Sequence, residues 1–169
     1  VDTIKNRISF ETASNFLDQK ILNQLQLLYP KKEFPAWGVT QGEKSVNKNK
    51  WKKIEPGDIA VFTREGFIIA TGIVTIKFQS YNFAKYLWDF DAKGNTWEFM
   101  FLLDDIRPQK IPYIEFNNCI GDRPKNRHQG FRIVYDEQKV NAFMDTFGIE
   151  SNYYPDNEDE VDTNWGDEL

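Results

Sequence analysis

Few side chains in this chain are of a type that breaks bonds. One histidine, His128, and one cysteine, Cys119, stand close together in NNCIGDRPKNRHQG. A Ser/His/Asp or Cys/His centre needs that histidine as its base. His128, however, lies between Arg127 and Gln129 in a basic, polar stretch, and no nucleophile-elbow pattern is present. A surface histidine and a buried thiol are the simpler account. A metal-dependent nuclease would draw on Asp122 with Glu137 and Lys139. Glu137 and Lys139 fall in the first turn of a helix, where an acid simply complements the helix dipole. Asp104 and Asp105 are expected to end a strand, with no partner carboxylate at metal-ligand spacing. Gly-rich phosphate cradles are absent from the sequence. One Cys and one His exclude a disulfide framework and a Cys/His zinc cage. The expectation is a protein with no catalytic residue, no metal and no cofactor.

The chemistry that remains is stacking and charge. Trp37 stands in Ala-Trp-Gly-Val-Thr, followed by Gln-Gly and an Asn/Lys stretch. Glycine beside tryptophan leaves one ring face uncovered. Trp88 and Trp97 are candidates for a second ring, and two parallel rings make a slot for a planar base, worth about 1–3 kcal/mol per stacked base. A flipped base also needs hydrogen bonds to its edge and cations for the flanking phosphates. Thr40, Asn47, Asn49 and Gln129 serve the first need; Lys48, Lys50, Arg123, Lys125 and Arg127 serve the second. Each has a bland counterpart. Trp97 opens a Phe99/Phe101/Leu103 stripe that reads as core, Trp88 packs or lines a slot, and Trp51 in WKKI packs beneath the turn at Pro56.

The charge distribution bears on this. The 169-residue, 19.9 kDa chain has a net charge of −5 and a pI near 5.0, which by itself argues against a nucleic-acid partner. Residues 151–169 (SNYYPDNEDEVDTNWGDEL) hold seven acids and no base, so the remaining 150 residues carry +2. The bases of this body gather in two runs, Lys44–Lys53 and Arg123–Arg132; each run alone is equally well a solvated face. The acidic segment reads as a flexible arm or linker after a single domain over 1–150. With 40% apolar residues the body has enough material for a core. No apolar run is long enough for a membrane span and no signal-peptide pattern opens the chain, so the expectation is a reduced, soluble, intracellular domain.

Hydrophobic periodicity supplies the scaffold. A helix capped by Thr12 is expected through Phe16, Leu17, Ile21, Leu25 and Leu28 to Pro30. Phe34–Thr40 reads as extended. Pro56, Gly57 and Asp58 turn into a hairpin of Ile59–Thr63 and Phe67–Phe78, with Gly72 marking a bulge or bend. Residues 81–93 form a loop or short helix. Trp97–Leu103 is a strand buried on one face at least, and shorter strands are expected at Ile111–Phe116 and Gly130–Tyr135. Asp136 caps a last helix carrying Val140, Phe143 and Phe147, closed by Gly148. The sum is an α+β architecture: a bent, mostly antiparallel sheet or small barrel with a helix at each end.

The order AWGVTQG, Asn/Lys stretch, EPGDIAVF, FIIATGIV, and later GDRPKNRHQGFRIV, over about residues 34–147, resembles the EVE and YTH-like domains of the PUA-like superfamily. The resemblance implies a small twisted β-barrel of mostly antiparallel strands flanked by helices. It implies a non-catalytic reader that flips a modified base into an aromatic cage. In similar prokaryotic domains, at the N-terminus of McrB-like modification-dependent restriction proteins, the target is methylated DNA; in YTH members it is N6-methyladenine in RNA. By position, Trp37 matches the first cage ring and Gly38, Val39 and Thr40 the pocket wall. Asn47 and Lys48 match a polar or phosphate position, with Asn49 and Lys50 beside them. Arg123, Lys125, Arg127, His128 and Gln129 match the phosphate-facing loop. The second ring does not align to one residue, so Trp88 and Trp97 both stand. The implied partners are duplex DNA with a modified base and a fused or bound nuclease or NTPase effector, in a prokaryotic cytoplasm, with no membrane.

Overall fold

The computed structural model describes residues 2–150; the acidic arm expected over 151–169 lies outside the described residues. Four strands form an antiparallel sheet in the order β3-β6-β5-β4: β3 Ala36–Val39, β4 Ile59–Arg64, β5 Phe67–Gln79 and β6 Phe99–Pro112. A separate two-residue pairing joins β1 (Ile8–Ser9) to β2 (Glu33–Phe34). The sheet curls into a half-barrel flanked by helices, the α+β architecture expected from the strand and helix patterns.

The hairpin forms where expected. Glu65 and Gly66 both take positive φ (50° and 86°), the twist-matched two-residue turn that favours glycine at its second position. Gly72 marks a register break, since the β5–β6 pairing shifts between Thr71 and Ile73. Further shifts between Ile68 and Ala70 and between Val74 and Lys77 accompany the bending of these long strands.

Several local expectations need correction. The first helix is two helices, α1 (Phe10–Ser14) and α2 (Gln19–Leu28), because Ser9 and Asp18 each cap a new start. The Asp18 carboxylate accepts from the Ile21 amide at 2.9 Å, and such a cap outcompetes continuation through Asn15. Asp104 and Asp105 do not end a strand. They lie within β6, where Asp105 has φ 47° and pairs with Arg107 at 2.9 Å. The strand expected at Ile111–Phe116 is instead the end of β6 followed by α5 (Tyr113–Ile120). Pro112 at its N-cap, and Phe116 and Ile120 one turn apart on its buried face, override the β-branched and aromatic composition. Gly130–Tyr135 pairs with no strand among the described residues; its irregular chain packs Phe131, Ile133 and Val134 against the core instead. The Asn/Lys stretch forms a short helix, α3 (Val46–Trp51), and residues 81–88 form α4 (Tyr81–Trp88). The last helix, α6 (Glu137–Phe147), is capped by Asp136 and closed by Gly148 as expected.

Strand alternation explains how one sheet serves three core clusters. In β6, Phe101 and Leu103 enter one cluster with Val74, Ile54 and Phe62, while Met100 and Leu102 enter another with Phe34, Phe78 and Phe83. A third cluster joins α5 and α6 to the hairpin through Ile68, Phe116, Ile120 and Phe143. The Tyr29 hydroxyl at the end of α2 donates to the Leu103 carbonyl at 2.9 Å, tying that helix to β6. Among the described residues no helix is long and apolar enough to cross a membrane.

Candidate nucleic-acid interface

Trp37 lies on β3, an edge strand, paired with Phe101 of β6. Its side chain is 38% exposed while Ala36, Gly38 and Val39 are buried. The ring meets Phe62 edge-on, centroids 5.2 Å apart at 74°. Phe62 belongs to β4, the opposite edge of the sheet, so this pair bridges the mouth of the half-barrel. Phe62 covers part of the indole and leaves the rest of its surface open to solvent.

Gly38 points to the other face of β3, as its neighbour in a strand must. A Cβ there would stand 2.3 Å from the Trp97 carbonyl oxygen and 2.9 Å from Cζ3 of Trp88. Glycine is therefore required by close approach. The same distances place the half-buried Trp88 ring over Gly38, across the edge strand from Trp37, with the backbone and Cβ of half-buried Trp97 beside it. Trp88 also packs against the cluster around Phe83 and Met100. Next to Trp97, Thr96 is 3% exposed and its hydroxyl meets no protein partner.

The lysine run is held by α3. Trp51 donates its indole N–H to the Met100 carbonyl at 2.9 Å and stands edge-on to Phe99, so it is a packing residue. Lys77 caps the end of α3 by donating to the Trp51 and Lys52 carbonyls at 3.2 and 2.6 Å. Desolvation is the main reason its ammonium pKa falls below the ordinary lysine value. Lys48 lies 5.7 Å above the Phe99 ring, Asn47 is half-buried and Asn49 exposed. Lys50 donates to the Phe131 carbonyl at 2.7 Å. That bond links the two basic runs, separated by 81 positions, into one neighbourhood. Lys53 lies over the Tyr135 ring at 5.1 Å and strengthens the same junction.

The second run is a built loop. Asn117, fully buried on α5, donates its amide to the Pro124 and Asn126 carbonyls at 3.0 and 2.9 Å. Its oxygen lies 2.5 Å from Nε2 of His128. Because the amide nitrogen is already committed to two carbonyls, the oxygen faces the ring and His128 Nε2 must carry the proton. The imidazole is wedged edge-on against Tyr113 and Phe116, at 5.1 and 4.9 Å. Burial pushes its pKa below the usual histidine value, Arg132 adds to that, and Asp122 opposes it. Asp122 forms a two-pronged ion pair with Arg132 and accepts from Asn126 at 2.7 Å. Its carboxyl is thereby held at about 2, the Arg132 hydrogen bond being the largest cause. With these anchors inside, Arg123, Lys125, Arg127 and Gln129 are left exposed.

The carboxylate that a nuclease would require at Asp122 is thus engaged by Arg132 and Asn126. Among the described residues no three His, Cys, Asp or Glu side chains are grouped to hold a metal ion. Two contacts were not legible in the sequence: Phe62 as the ring partner of Trp37 and Asn117 as the anchor of the basic loop. Asn117 had no signal beyond its place in an apolar helix face, and the Phe62 pairing depends on sheet curvature. No family model, curated protein or solved structure matches the chain.

Proposed function

We propose that this chain is a non-catalytic reader of modified DNA, an EVE/YTH-like domain of the PUA-like kind, that takes a flipped, methylated base onto Trp37. The observation that carries the reading is the Lys50–Phe131 bond, which joins the two basic runs beside the cluster containing Phe62, the ring partner of Trp37. An exposed indole on an edge strand, braced from one side by Phe62, is a stacking platform for a planar base. Lysines and arginines from two separated runs then supply the phosphate contacts that drive association.

In this reading the base stacks on Trp37, while Trp88 walls the strand from the Gly38 side and Trp97 stays the candidate second ring. Asn47, Asn49, Thr40 and Gln129 are the candidates for its polar edge. Lys48, Arg123, Lys125 and Arg127 meet the backbone, and Lys50 holds the surface together while lending its charge. A methyl group adds apolar burial of roughly 0.8 kcal/mol to the stacked state. In this reading the effector that acts on the recognised DNA is another domain or a partner protein.

Binding of matched duplexes with and without 5-methylcytosine, 5-hydroxymethylcytosine or N6-methyladenine tests this reading, alongside single-stranded RNA of the same sequence. Preference for one modified duplex, lost in Trp37→Ala with weak non-specific binding retained, is the expected result. Equal affinity for all duplexes ends the reading, and preference for methylated RNA moves it to the YTH kind.

A further inference from the structure

A groove of about 550 Å³ opens between the tip of the β4–β5 hairpin and the basic loop, lined by Thr63, Arg64, Glu65, Tyr113, Arg127 and Gln129 among others. Its walls come from three elements locked to one another. The Tyr113 amide at the start of α5 donates to the Gly66 carbonyl at 2.9 Å, fastening the hairpin tip to the helix. The Tyr113 ring in turn stands edge-on to His128, which Asn117 holds in place. Two guanidinium-bearing residues, Arg64 from the hairpin and Arg127 from the basic loop, therefore line one groove together with the Tyr113 phenol and the Gln129 carboxamide. Glu65 is the one acid in the lining.

The groove also has a defined relation to Trp37. Phe62, which touches the Trp37 ring, precedes Arg64 by two residues on β4. The β4 register shifts between Phe62 and Thr63, so the strand that braces Trp37 bends before it reaches Arg64 and the groove. Arginine forks match the oxygens of a phosphodiester bidentately, and Gln and Tyr donate single hydrogen bonds to the same group.

We infer that this groove carries the DNA backbone flanking the base on Trp37, with Arg64 as a phosphate-contacting residue alongside Arg127. The inference rests on the modified-base reading above and adds the path of the strand across the hairpin tip. It makes Arg64 a contributor to affinity for any duplex and leaves the choice of base to Trp37.

The test is fluorescence anisotropy of the full chain with an unmodified short duplex and its 5-methylcytosine, 5-hydroxymethylcytosine and N6-methyladenine versions, between about 50 and 200 mM salt. Wild type, Arg64→Gln, Arg64→Lys, Trp37→Ala and a control on the exposed face of α2, Lys20→Gln, are compared, with melting curves confirming that each folds. Arg64→Gln is expected to weaken all duplexes by a similar factor and to reduce the salt slope by about 1. Arg64→Lys should retain the slope, and Lys20→Gln should match wild type. If Arg64→Gln keeps wild-type affinity and slope while Trp37→Ala still loses the modified-base preference, the groove inference is overturned and the reader assignment stands. If wild type binds none of the duplexes, both fall together.

Discussion

Trp37 and Phe62 belong to the two opposite edge strands of a four-stranded sheet, yet their ring centroids are 5.2 Å apart. Two whole strands, β5 and β6, lie between them in the ladder. The pair meets only because the sheet is curled by its twist and by register shifts along β5, β4 and β6. Phe62 thus sets the tilt of the exposed indole. Phe62→Leu keeps apolar volume and is expected to leave the fold intact while weakening modified-base preference, with unmodified DNA bound as before. Anisotropy titrations with paired duplexes check this, and an unchanged preference would show that Trp37 needs no brace.

Gly38→Ala places a methyl group 2.3 Å from the Trp97 carbonyl oxygen, a backbone atom that cannot rotate away. Overpacking of this kind costs about 1–3 kcal/mol. Urea denaturation should give a lower midpoint with an unchanged slope. Tryptophan emission should also shift, since the Trp88 ring edge lies in the same space.

Asn117→Ala removes three hydrogen bonds that organise residues 124–128 from inside the loop. Leaving carbonyls and the His128 Nε2–H without partners costs on the order of 1–3 kcal/mol. Amide hydrogen exchange is expected to accelerate across the loop more than in β5 or β6, and DNA affinity should fall although Asn117 is buried and touches no ligand.

The Asp122 carboxyl has a folded-state pKa of about 2 against an ordinary 3.8. A depressed carboxyl contributes stability that is complete above its unfolded value and is lost as pH falls toward its folded value. The loss therefore falls between about pH 4 and pH 2. Asp122→Asn should lower the melting temperature at neutral pH and flatten the acid limb of the stability profile. Arg132→Gln should flatten the same limb, because Arg132 is the main cause of the shift.

Thr96 is buried with an unsatisfied hydroxyl. Replacing an unpaired buried polar group by an apolar one of the same shape is neutral or stabilising, so Thr96→Val is expected to raise stability by up to about 1 kcal/mol in thermal melts. A marked loss of stability would mean that the hydroxyl is paired in solution.

What was legible in advance follows the range of the forces involved. The Glu65–Gly66 hairpin, the Asp136-capped helix and the two-faced alternation of Phe99–Leu103 are written in neighbouring residues. Local periodicity and turn chemistry decide them, so the sequence alone sufficed. The same holds for the split of charge between an acidic C-terminal segment and a basic body, and for Trp37 standing out among small neighbours. The failures lie where tertiary partners outweigh composition. Tyr113–Ile120 has strand-like residues, but Phe116 and Ile120 meet the third cluster only as a helix turn. Phe131–Tyr135 has a strand's alternation but packs Phe131 and Ile133 against a core cluster without joining a ladder. The assembly of the candidate site was beyond local reading altogether. Which edges of a curled sheet meet, which carbonyl receives Lys50, and which loop Asn117 gathers all depend on contacts between residues far apart in sequence. Sequence chose the residue types; the accumulated twist and bulges of the sheet chose their partners.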